Sequence, residues 1–340
     1  MQNELKTPGP LLDDQGNLQQ KGWARELILN YNRDDITVGW HRIKEWDYYA
    51  ILGPSYGITL TFSDLGYIGL IAVCWLDFAE KTYHQEDKLL LFPKGSMGLP
   101  DSSQSGDIEF YDNDISIRIL KKGKKRKLRF EFPEFKDNKG LKAELVLKQD
   151  LETDTMVIAT PFEKDGHFYY NQKINCMPAS GTVEIGDDVH LFSPEEAYGV
   201  LDWGRGVWTY KNTWYWGSAS GKLEDGTSIG FNIGYGFGDT SKATENIIFY
   251  DGVGHKFDEV MFHFDEDNYL KPWKFTSNDG RFEMDFQPIL DRASKFNLLI
   301  LKSIQHQVFG YFSGKMVLDD GREIDVSNLL GFAEKVYNKW

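Results

Sequence analysis

Cysteine is nearly absent. Cys74 and Cys176 are the only two in 340 residues, too few for a disulfide framework or a thiolate zinc cluster. No apolar run approaches the length of a membrane span, and Met1 to Lys6 lack the apolar core of a secretion signal. These absences predict a reduced, cytoplasmic protein without an integral membrane segment. The seven histidines are scattered, with no pair one helical turn apart, so no metal is expected. A Gly-x-Ser-x-Gly elbow and a phosphate-binding loop are also missing. Residues 234–238 alternate glycine with Tyr235 and Phe237 but open no helix, and no cofactor is expected.

Basic residues are in deficit. The 38 Lys and Arg face 52 Asp and Glu, a net charge of −14, which repels phosphate backbones and argues against a nucleic-acid partner. One basic run, residues 121–129, lies between two alternating segments and reads as a solvated hairpin tip. What the chain has in quantity is apolar and aromatic residues, 41% and 15%, enough for two buried cores at this length.

The dominant period is two. Segments 57–62, 67–78, 141–147, 155–160, 227–235, 245–250, 257–264, 281–286 and 305–318 read as strands, punctuated by turns such as Asp165-Gly166, Asp225-Gly226 and Asp251-Gly252. Helix signals are few. Ser193-Pro194-Glu195-Glu196 predicts a short helix, and Ser327 a helix through Trp340 with Leu330, Ala333, Tyr337 and Trp340 on one face. Antiparallel meanders of this number close into barrels. The fold class expected is all-β, two antiparallel barrel domains in tandem with short peripheral helices, divided at residues 1–190 and 191–340.

Residues 201–221 concentrate four of the ten tryptophans. On a strand, Trp214, Trp216, Ser218 and Ser220 share one face. In the next strand the bulky odd positions alternate with Ser228, Gly230, Asn232 and Gly234, a trough filled either by the tryptophans or by a ligand. Asp202 and Arg205 flank Trp203 as a candidate pair, structural or catalytic. Asp202 is the first choice for a proton donor. Glu245 supplies a second carboxylate that, paired with Arg205, would free Asp202 for chemistry. His41 is a further candidate base. Trp203, Trp208, Trp214, Trp216, Asn232, Tyr235 and Asn246 are the candidate ligand-binding residues. Cys74, within the apolar run 71–75, reads as a core residue.

Several long stretches carry a resemblance: Gly22-Trp23-Ala24-Arg25, residues 44–49, 201–221 and 234–239, Thr244-Glu245-Asn246, residues 307–314 and the ending Leu330-Gly331-Phe332-Ala333-Glu334. On these motifs the chain resembles domain-of-unknown-function family 2804. That family is similar to the two-domain lipocalin-like proteins that include carotenoid 1,2-hydratases, tocopherol cyclases and some Diels–Alderases. The resemblance implies lipocalin-like barrels. With the aromatic cluster it suggests a cofactor-independent lyase, hydratase, isomerase or cyclase acting on an apolar, isoprenoid-like or polyketide-like small molecule. A non-catalytic carrier of hydrophobic ligands and a structural or sugar-binding module are the alternatives.

Overall fold

The computed structural model describes residues 2–298 and 301–340. Alternation of apolar and polar side chains dominates, and the strands follow it. In Lys125–Phe132 every second residue is buried, and Leu141–Lys148 pairs with it in the same phase, so one face of each strand turns inward. Among the described residues, helix is confined to a four-residue turn at Phe135–Asn138 and 3-10 turns at Arg33–Asp35 and Trp40–Arg42.

Two curled antiparallel sheets form tandem barrel domains. In the first, the meander Ile43–Leu52, Tyr56–Asp64, Ile68–Asp77, Thr82–Leu91 is joined through Tyr198–Val207 to Phe168–Ile185, and from there to Leu141–Lys148, Lys125–Phe132, Ser116–Lys122 and Ile108–Tyr111. The basic run forms the tip between the last two long strands, with Lys122 opposite Lys125. Arg126 departs from the solvated expectation: it is buried, hydrogen-bonded to the Ser103 carbonyl and Gln149. The second sheet places Glu323–Lys339 centrally, between Lys211–Lys222 and Leu301–Val317. The chain leaves the first sheet at Val207 and enters the second at Lys211.

Both expected helices are corrected. Ser193 closes a single turn through its carbonyl, which accepts from the Glu196 and Ala197 N–H groups, and Tyr198 then begins a strand. Residues 323–339 are one strand, with Asn328 at a positive φ of 53° where the register shifts. Leu330 packs toward the first barrel while Ala333 enters the second barrel's core, so the face they were expected to share does not exist.

Each barrel has its own packed core. Ile51, Leu60, Val73, Phe130 and Leu145 belong to the first, and Phe231, Phe275, Phe282, Phe286 and Phe312 to the second. A third apolar cluster lies between the sheets, contributed by Tyr48, Ala50, Tyr169, Val200 and Trp208 from one and Trp216, Phe309 and Phe332 from the other. No helix among the described residues is long and apolar enough to cross a membrane.

Candidate functional site

The layer between the sheets carries a cluster of buried polar side chains, and strand parity decides which residues reach it. In Tyr198–Val207 the odd positions Leu201, Trp203 and Val207 enter the first barrel's core. The even positions face the second domain. Asp202 and Arg205, three residues apart on a strand, therefore point to opposite faces. Arg205 is fully buried inside the first barrel, where it hydrogen-bonds Asp47 at 3.0 Å and lies 4.3 Å from the Trp203 ring centroid. The expected Asp202–Arg205 and Arg205–Glu245 pairs do not form. Trp203 packs edge-on against Tyr31 and Tyr170 in that core.

Three rungs of the first sheet face outward. Lys173, Asp202 and Tyr48 are register neighbours on adjacent strands, as are Asn171, Gly204 and Trp46, and then Tyr169, Gly206 and Lys44. Gly204 makes room for Trp46, whose indole would stand 2.2 Å from a Cβ placed there, and a Cβ at Gly206 would meet the Trp208 indole nitrogen at 3.3 Å. From the second sheet the opposing rung is Gly234, Trp216, Glu334 and Gln307.

The rungs interlock. Lys173 Nζ pairs with Asp202 Oδ1 at 2.8 Å and sits 4.0 Å above the Trp216 ring. Asn171 donates to the same Asp202 oxygen at 2.6 Å. The Trp216 indole donates to Asn232 at 2.6 Å, and Asn232 in turn donates to the Glu245 carbonyl. Trp214 donates to one oxygen of Glu334 and Gln307 to the other, while the Tyr48 hydroxyl donates to Gln307. Burial pushes the Glu334 carboxyl up to about 7 against the opposing fields of Lys173 and Arg292.

Glu245 is fully buried beside this network. The Tyr169 hydroxyl donates to its Oε1 at 2.9 Å, and its Oε2 has no hydrogen-bond partner. Burial raises its pKa, and Lys173 works against that. The Asn171 carbonyl oxygen and the Trp208 indole nitrogen are also buried and unpartnered. Buried polar groups ordinarily have partners; unpartnered ones also occur in the first barrel, at Trp203 Nε1 and Arg205 Nε.

Trp208 is the hub of an aromatic cluster. Trp46, Phe162, Tyr169, Trp214 and Trp340 all have ring centroids within 5.3–5.6 Å of it. Phe162 also lines an open cleft of about 930 Å³ bounded by Pro161 to Phe168, Thr209, Asn212, Gly236 and Gly238. Phe237, between those two glycines, stacks on Tyr169 at 5.1 Å. Phe237 and Tyr169 thus stack next to Glu245, and none of the three lines the cleft.

The trough along Ser228–Tyr235 is filled from within. A Cβ at Gly230 would stand 2.5 Å from Cys176 Sγ, and one at Gly234 would stand 2.9 Å from Phe237. Besides Arg205 and Trp203, three expected site residues lie elsewhere. His41 is exposed in a 3-10 turn, its ring edge-on to Trp40 and its carbonyl accepting from Lys44 Nζ. Tyr235 faces the second barrel and stacks on Tyr215 at 4.5 Å. Asn246 clamps backbone, accepting from the Gly234 N–H and donating to the Asp258 carbonyl. Asp202, Glu245, Trp208, Trp214, Trp216 and Asn232 are brought together. Sequence reasoning missed Tyr169, Asn171, Lys173 and Glu334, although the alternating Tyr169, Asn171, Lys173 within a buried strand is a readable signal. Among the described residues, no three His, Cys, Asp or Glu side chains converge as a metal site.

The architecture has known counterparts. A candidate AttH from Nitrosomonas europaea superposes with a TM-score of 0.53 at 13% identity, over 90% of this chain and 96% of its own. Kievitone hydratase from Nectria haematococca gives 0.50 at 11% identity, with 98% of each chain covered. At such identities the likeness is one of fold. No curated protein sequence matches the chain. The profile of the domain of unknown function DUF2804 matches residues 2–340, and the chain belongs to that family.

Proposed function

We propose that the protein is a cofactor-independent enzyme that binds a largely apolar, uncharged small molecule in the aromatic layer between its barrels and transfers a proton to it from Glu245. The observation that carries this reading is the buried Glu245 carboxyl with an unpartnered Oε2, next to stacked Tyr169 and Phe237. Burial favours its protonated form at rest. When the proton leaves for an alkene or enol carbon, the Tyr169 hydroxyl and the Lys173 ammonium stabilise the carboxylate that remains. The faces of Trp208 and Tyr169 steady the positive charge that develops on the substrate. Return of a neighbouring proton to the Glu245 carboxylate completes an isomerisation; attack by an internal double bond followed by the same proton loss completes a cyclisation; addition of water, with its surplus proton passing back to the carboxylate, completes a hydration.

Asp202 has a different task here from direct proton donation. Paired with Lys173, it holds the ammonium beside the reacting carboxyl. The similarity in fold to kievitone hydratase is consistent with this class of chemistry. The competing reading, a polar layer that only docks the barrels, is favoured by Glu334, both of whose oxygens are satisfied.

The test uses all-trans-retinol as an apolar probe and an apolar metabolite extract in heavy water. Wild type should quench its tryptophan fluorescence on adding retinol and produce deuterium-labelled products in the extract. Glu245→Gln should retain the quenching and lose the labelling. Equal labelling by wild type and variant, or no binding of retinol by either, would sink the proposal.

A further inference from the structure

The second barrel has a cavity of about 440 Å³ at one end, on its inner face and away from the layer just described. Two rungs line it. Tyr215, Lys335 and His306 are register neighbours across three strands, and Thr213, Tyr337 and Ile304 form the next rung. The His306 ring lies flat on Tyr269, with centroids 3.8 Å apart and planes 2° from parallel. Its Nδ1 is fixed by Asp291 at 2.8 Å, and among the described residues no hydrogen bond is made to its Nε2. On the other side Tyr215 is backed by its stack on Tyr235. Between these two flat aromatic ledges sits the ammonium of Lys335, 5.8 Å from the Tyr215 centroid and 5.6 Å from that of Phe264.

Charge at this mouth runs against the rest of the chain. The overall balance is −14, yet Lys302 lies over Tyr337 at 5.5 Å, with Lys339 as its register partner. The acids that face the cup are Asp291, occupied by His306, and Glu266, an exposed side chain that caps Lys335 at 2.5 Å. This exposed carboxylate on the lysine occupies the position a ligand's carboxylate would take.

We propose that this cup binds a planar aromatic carboxylate, a second site independent of Glu245 and its chemistry. The aromatic ring lies against the ledges, the carboxylate replaces Glu266 on Lys335, and His306 Nε2 serves as a second donor when protonated.

The test is calorimetric titration with 2-naphthoate and its uncharged counterpart 2-naphthalenemethanol. Wild type should bind the naphthoate at least tenfold more tightly than the alcohol. Lys335→Met should abolish that preference, Glu266→Gln should strengthen naphthoate binding several-fold, and Thr213→Trp should block both compounds by filling the cup. Circular dichroism establishes that each variant is folded. No naphthoate binding to wild type, equal affinity for the two compounds, or an affinity unchanged by Lys335→Met would each overturn the proposal.

Discussion

Lys173 and Asp202 sit directly opposite one another on neighbouring strands, and their ion pair lies in the seam where the two barrels meet. The Lys173 side chain is 1% exposed and that of Asp202 10%, so water screens the pair very little. Removing one member strands the other in a low-dielectric layer, at a cost of about 3–5 kcal/mol. Lys173→Met and Asp202→Asn should each lower the stability measured by urea unfolding, and Lys173→Met with Asp202→Leu should recover part of the loss. A double variant as unstable as the sum of the singles would show that the two charges are not coupled.

Glu334 gives the stability a pH dependence of definite sign. Its carboxyl moves from an ordinary value of 4.5 up to about 7 in the folded protein, so the folded state holds a proton there that the unfolded state has released. Its contribution is complete below pH 4.5 and is lost as pH rises through 7, by about 3 kcal/mol at most. Glu334→Gln should flatten that part of the stability profile. An unchanged slope between pH 4.5 and 7 would count against the assignment.

Gly204 should not tolerate alanine. The added methyl would meet the Trp46 indole at 2.2 Å, and displacing a ring held by Tyr169 and Trp208 should cost about 1–3 kcal/mol. Thermal melting reads the loss. Gly226→Ala is a comparison of a different kind: nothing lies within 4 Å of a Cβ there, and the strain would come only from its positive φ of 86°.

Neither thiol should react in the folded protein. Burial pushes both Cys74 and Cys176 up to about 11, leaving little thiolate at pH 8. A thiol-specific chromogenic reagent should titrate both only after denaturant is added. Rapid labelling of either under native conditions would contradict this.

Much of this was readable from residue order. Period-two alternation identified the strands and the parity that groups Trp214, Trp216, Ser218 and Ser220, and the apolar run 71–75 identified the core position of Cys74. What failed was pairing across distance. Asp202 and Arg205 look like partners because they are three residues apart, but that spacing brings side chains together on a helix and separates them on a strand. The same rule, applied to 201–207, would have excluded the pair. The true partners, Asp47 for Arg205 and Lys173 for Asp202, come from strands remote in sequence and are set by register, which no local pattern specifies. The region 327–340 misled because its apolar residues satisfy helical spacing, and pairing with the two neighbouring strands overrode it.

The central place of Glu323–Lys339 in the second sheet also bears on how the protein is made. Its neighbours include Lys211–Lys222, more than a hundred residues earlier. On the ribosome, the tryptophans of that earlier strand and the phenylalanines of its barrel must wait, uncovered, until the later strand emerges to be inserted between them. The first domain, whose sheet ends at Val207, can form while that happens and present Tyr48, Tyr169 and Trp208 as a surface on which the second half assembles. Contacts that bury charge in the finished molecule would then also guide its assembly, and a variant that weakens them would be vulnerable to aggregation during synthesis even where the completed fold survives it.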